Sequence, residues 1–78
     1  MENDLIINLD NLRTTELGVV RIRRNLNLAD IDVVKWCKDK IRNSNNITRR
    51  GKNWYAHIGD AIITVNAHSF TIITAHKA

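Results

Sequence analysis

NWYAHIGDAIITVNAHSFTIITAHK, residues 53 to 77, alternates apolar and polar side chains and carries all three histidines of the chain. A period of two over such a length reads as antiparallel strands rather than helix. Gly59 and Asp60 form a natural two-residue hairpin loop, which sets Ile58 opposite Ala61, Ala56 opposite Ile63 and Trp54 opposite Val65. Taking Ala67 and His68 as the next such loop sets Asn66 opposite Ser69, Val65 opposite Phe70 and Ile63 opposite Ile72. One face then carries Trp54, Ala56, Ile58, Ala61, Ile63, Val65, Phe70 and Ile72, and is the face expected to be covered. The other carries Tyr55, His57, Ile62, Thr64, Asn66, Ser69, Thr71 and Ile73.

Upstream of this meander the period changes to that of a helix. DLIINLDNL, residues 4 to 12, reads as a helical turn or two that packs and then breaks. In TTELGVVRIRRNL, residues 14 to 26, Thr14 is placed to cap a helix, Glu16 lies in its first turn, and Arg23 and Arg24 lie near its end. Leu12, Val19, Ile22 and Leu26 recur at helical spacing, and Gly18 marks a close contact, since glycine inside a helix costs about 1 kcal/mol relative to alanine. Asp30 or Asp32 begins a second helix that runs to about Arg42, with Ile31, Val34, Cys37 or Lys38, and Ile41 on one stripe. Cys37 on that stripe reads as a buried, inert thiol. ITRR, from Ile47, reads as a short first strand turning at Gly51.

The expected fold is therefore α+β in a single domain: two or three amino-terminal helices within residues 4–42, packed on one face of a three- or four-stranded antiparallel meander over residues 47–77. A chain of 78 residues leaves no room for a second core. No apolar run reaches the roughly 18 residues of a membrane span, the opening MENDLIINLD is acidic where a secretory leader is basic, and there is one cysteine. A cytoplasmic location is the expectation.

Charge is unevenly placed. Lys35, Lys38, Lys40, Arg42, Arg49, Arg50 and Lys52 stand against the single acid Asp39 between residues 35 and 52, and Arg13, Arg21, Arg23 and Arg24 stand against Glu16. Clustering of this kind fits a polyanionic partner, and it also fits an ordinary solvated face. The polar sheet face is more specific, because it lacks lysine and glutamate and offers hydroxyls, an amide, an imidazole and a phenol at fixed positions. In the two-residue-loop register the three histidines do not converge: His57 lies on the polar face, His68 in a turn, and His76 on the opposite parity. No metal site is expected from them. With no Gly-rich phosphate loop or cofactor motif, no cofactor is expected either.

Two stretches together, TTELGVVRIRRNLNL at residues 14 to 28 and KNWYAHIGDAIITVNAHSFTIITAHK at residues 52 to 77, resemble a small bacterial family labelled domain of unknown function 3781. The resemblance covers nearly the whole chain and implies no activity. A more distant likeness, in helix order and in the closing SFTIITAHK, is to the ribonuclease-toxin architecture of barnase, RelE and the colicin-type nucleases. That likeness implies an antiparallel sheet with a site on its open face.

These readings combine into an expectation of RNA binding on the open sheet face; whether RNA is also cleaved stays open, and if it is, the route is metal-independent. Arg21, Arg24, Lys40, Arg42, Arg49, Arg50 and Lys52 would hold phosphates. Tyr55 would stack on an unpaired base, and Thr64, Asn66, Ser69 and Thr71 would read its edge. His57 is the candidate general base or acid, imidazole being the side chain whose charge changes near neutral pH, and His76 could join it only if the last strand bends. The competing expectation is a non-enzymatic protein-binding module, such as a small phage or mobile-element regulator or inhibitor. As for assembly, the choice is between a monomer and a dimer paired through the edge of the last strand.

Overall fold

The computed structural model describes residues 4–28, 32–44 and 46–77. Helix α1 (Asp4–Ile7) is followed by a 3-10 turn (Leu9–Asn11), then α2 (Glu16–Leu26) and α3 (Val33–Arg42). Four strands complete the chain: β1 (Asn46–Arg50), β2 (Asn53–Ile58), β3 (Ala61–Asn66) and β4 (Ile72–Lys77). They form one antiparallel sheet in the order β1-β2-β3-β4, with the helices on one face, an open α+β arrangement.

The opening segment packs as its leucines suggest: Leu5, Leu9 and Leu12 are all buried. The cap of α2 is Thr15, whose hydroxyl accepts from the Gly18 amide at 3.0 Å. Thr14 does not cap α2, because its own hydroxyl is taken by the Ile72 carbonyl of β4, at 3.1 Å. Helix α2 ends on Asn27 in the left-handed conformation, with the Leu28 amide bonded back to the Arg23 carbonyl. Asp32 caps α3 by accepting from the Lys35 amide at 3.1 Å. Asp30 and Ile31, also considered for that helix, lie outside the described residues.

Ile22 and Leu26 of α2, and Val33, Cys37 and Ile41 of α3, meet Trp54, Ala56, Ile63, Val65, Ile72 and Ala75 of the sheet in one buried cluster. Trp36 is half-buried against this core, with Lys40 Nζ lying 5.5 Å from its ring centroid. Burial pushes the Cys37 thiol up to about 12, so it stays protonated and unreactive in the folded protein.

The β2–β3 hairpin has the expected register: Trp54 pairs with Val65, Ala56 with Ile63 and Ile58 with Ala61. Its turn works because Gly59 adopts a φ of +55°, which a glycine reaches without steric cost. The β3–β4 connection departs from expectation. Ile63 pairs with Ala75 rather than Ile72, and Val65 with Ile72 rather than Phe70. Two local causes lengthen the loop. The Asn66 side-chain oxygen accepts from the His68 amide, the Ser69 amide and the Ser69 hydroxyl, and Phe70 takes a left-handed φ of 57°. The register also shifts between Thr64, opposite Thr74, and Val65, opposite Ile72, so that Ile73 is a bulged extra residue and is exposed.

The outer edge of β4 is partly occupied. Arg13 bridges Thr71 in parallel, its amide donating to the Phe70 carbonyl and its carbonyl accepting from the Ile72 amide. Thr14 bonds the Ile72 carbonyl, and the Asn25 side-chain amide bonds the Ala75 carbonyl at 3.4 Å. Helix α2 thus runs along this edge, and Gly18 leaves room for Thr14, since a Cβ there would collide with Thr14 Oγ1. The carbonyls of Phe70, Ile72 and Ala75 are thus already engaged on the outer side of β4.

Candidate nucleic-acid interface

Strand alternation and the observed pairings assemble the open face in three rows. Asn46, His57, Ile62 and His76 form one row; Thr48, Tyr55, Thr64 and Thr74 form the next; Arg50, Asn53 and Asn66 form the third. The bulge at Ile73 brings His76 onto this face, where a regular ladder would have put it on the helix-covered side. His57 and His76 thus flank Ile62 from the two neighbouring strands, with their Cα atoms about 10 Å apart from the usual strand spacing.

The two imidazoles differ in how they are held. His76 Nδ1 lies 2.9 Å from the Lys77 carbonyl oxygen. A carbonyl only accepts, so this bond requires a proton on Nδ1 and, in the neutral ring, leaves Nε2 with its lone pair facing outward. His57 is half-buried and, among the described residues, makes no hydrogen bond through its ring. Tyr55 sits between the first and third rows, also half-buried. Thr64, in the row with Tyr55 and Thr74, is buried at 6% exposure, so its hydroxyl is not presented to a ligand.

Asn66, Ser69 and Thr71 are engaged in holding their own loop. Besides the three bonds to Asn66, Ser69 Oγ lies 2.9 Å from Thr71 Oγ1 and accepts from the Thr71 amide at 3.3 Å. Their polar groups build the turn that positions β4.

The basic residues divide between layers. Arg50 is on the open face, and Lys52 is in the adjoining turn, its carbonyl accepting from the Ala67 amide at 2.7 Å. Arg13, whose Nε donates to the Ser69 carbonyl at 3.2 Å, stands at the same end of the sheet. Arg49 is on the opposite face, with its guanidinium 5.4 Å from the Trp54 ring centroid and its Nε donating to the Gly51 carbonyl. Lys40 and Arg42 belong to α3, which packs under β2 on the helix side, and Arg42 is paired with Asp39 at 3.4 Å. Helical spacing puts the exposed Arg21 on the same side of α2 as Asn25, whose side chain bonds β4 at the Ala75 carbonyl; Arg24 is exposed as well.

The structure therefore brings His57, Tyr55, His76 and Arg50 together on one face, with Lys52 at its end. It does not bring Lys40, Arg42 or Arg49 there. Thr48, Thr74 and Asn46 belong to the face and were missed. The alternation of NITRR carried a signal for Asn46 and Thr48; Thr74 had none, because the bulge hides its parity. Among the described residues, no group of three or more His, Cys, Asp and Glu side chains is placed to hold a metal ion, and no helix is long and apolar enough to cross a membrane.

Comparison with curated proteins and with solved structures gives no match. The family described as a protein of unknown function, DUF3781, matches residues 6–76, nearly the whole chain, and the protein belongs to that family.

Proposed function

We propose that this protein binds single-stranded RNA on the open face of its sheet and cleaves it without a metal, using His76 and His57 as an acid–base pair. The observation that carries this reading is the placement of the two imidazoles on either side of Ile62 in one row of the face. The rows of His57 and Arg50 are four residues apart along the strands, about 14 Å. That span fits a nucleotide unit lying along the sheet, with one phosphate at Arg50 and Lys52, a base on Tyr55, and the scissile phosphate between the histidines.

In the cleavage step His76 Nε2 takes the proton of the ribose 2′-hydroxyl as the 2′-oxygen bonds to phosphorus. The bond from phosphorus to the 5′-oxygen breaks, and His57, protonated, gives its proton to that leaving oxygen. The products are a 2′,3′-cyclic phosphate and a 5′-hydroxyl end. Arg21, on the Asn25 side of α2, would stabilise charge on the phosphorane.

The test is incubation of the purified protein with single-stranded RNA in EDTA at low salt, reading retention and cleavage together. The expected result is cleavage leaving cyclic phosphate ends, reduced on the order of 100-fold or more in His57→Ala and in His76→Ala while RNA is still retained. A deoxy oligonucleotide of the same sequence should be retained and left intact. Absence of both retention and cleavage would overturn the reading.

A further inference from the structure

The two edges of the sheet are treated differently. That of β4 is partly occupied by Arg13, Thr14 and Asn25. That of β1 is the end of the strand order, and among the described residues no backbone or side-chain group bonds to the outer side of Asn46–Arg50. An open edge offers a row of unpaired amides and carbonyls to any extended chain of suitable side-chain pattern.

The side chains along β1 say what that pattern is. No aspartate or glutamate occurs between Asp39 and Asp60. On the open side of the edge stands Arg50, with Lys52 just beyond it, and neither side chain has an ion-pair or hydrogen-bond partner among the described residues. On the helix side stands Ile47, partly buried against the core. Arg49, which shares that side, is folded back onto Trp54 and the Gly51 carbonyl, out of the way of an incoming strand.

A second copy of β1 paired in parallel register, or antiparallel about Arg49 or Arg50, would set arginine opposite arginine, and like charges facing each other across a strand pair are destabilising. We infer that the outer edge of β1 binds an extended acidic peptide segment by strand addition, with carboxylates on the open side opposite Arg50 and Lys52 and an apolar side chain beside Ile47. The inference is independent of RNA cleavage. It has one consequence for it: a carboxylate-bearing strand would occupy Arg50 and Lys52, and so compete with a phosphate there.

The experiment is an amide-resolved NMR titration of the whole protein with a blocked octapeptide of alternating glutamate and valine. The expected result is chemical-shift change and slowed hydrogen exchange concentrated at Asn46–Arg50. Affinity should fall with added salt and by roughly tenfold or more in Arg50→Glu/Lys52→Glu, two exposed positions whose reversal leaves the core untouched. The same peptide with N-methylated valines should bind far more weakly, since it lacks the strand-pairing donors. Equal binding by the N-methylated peptide, by a lysine–valine peptide, or at a surface other than β1 would overturn the inference. So would protection of these amides by an RNA oligonucleotide and not by the peptide.

Discussion

The Thr14 hydroxyl donates to the Ile72 carbonyl oxygen at 3.1 Å, across 58 positions of sequence. The same hydroxyl stands where a side chain at residue 18 would have to go. Gly18→Ala should therefore show two opposed effects: a gain of about 1 kcal/mol in helix propensity and the loss of the Thr14–Ile72 bond, worth about 1 kcal/mol, as Thr14 rotates away. In the native background the change in stability should be small or negative. In a Thr14→Ala background, where the bond is already gone, Gly18→Ala should stabilise by about 1 kcal/mol. Chemical denaturation of the four proteins in this cycle measures the coupling; strict additivity would show that the two residues do not compete for space.

Asn66→Ala removes the acceptor for the His68 amide, the Ser69 amide and the Ser69 hydroxyl. A loss of about 1–3 kcal/mol is expected, with faster amide exchange confined at first to residues 68 and 69. Asn66→Asp should keep most of the stability, because a carboxylate oxygen accepts from the same donors.

Cys37 gives a pH dependence of definite sign. Its thiol is raised from 9.0 to about 12 by burial, so between those values the unfolded chain loses this proton and the folded chain keeps it. The stability conferred by the neutral buried thiol is whole below pH of about 9 and declines as pH rises toward about 12, by at most about 1.4 kcal/mol per pH unit. Cys37→Ala should fall less steeply over that range. Native protein at pH 8 should resist a thiol reagent that labels the unfolded chain at once; rapid labelling of the native protein would contradict the burial.

If the open face binds RNA as proposed, the division of the basic residues predicts which of them would govern affinity. Arg50→Ala and Lys52→Ala should each weaken binding and each lower the slope of log affinity against log salt by about 1. Lys40→Ala and Arg42→Ala, on the helix layer, should leave both quantities unchanged. Filter binding at several salt concentrations separates the two classes, and equal effects from all four would place the RNA elsewhere.

Much of this architecture could be read from the residues. The β2–β3 register followed from Gly59 and Asp60, because so short a turn admits few geometries and each flanking pair was apolar on one side. The β3–β4 register did not follow. Nothing in the sequence marks a phenylalanine as left-handed, and the adjacent Ile72 and Ile73 fit either face, so the bulge that separates them leaves no trace in the pattern. The choice between Thr14 and Thr15 as cap is of the same kind: two adjacent hydroxyls are equivalent locally, and a strand more than fifty residues away decides between them. Charge clustering was legible as composition but not as surface. Arg49 and Arg50 are neighbours in sequence and, by strand alternation, lie on opposite sides of the sheet.

The docking of α2 along β4 also constrains the order in which the chain can mature. Among the strands, β4 is the principal partner of α2, and it is synthesised after every other element described. Until it emerges from the ribosome, Ile22 and Leu26 lack Ile72 and Ala75, two of the buried residues they share a cluster with in the finished protein. The β1–β2–β3 portion can pair as soon as it is made, since its contacts are short-range, but the helix must wait. A nascent chain stalled before Ile72 is thus a sheet with one apolar face and both edges exposed, the form most in need of a chaperone.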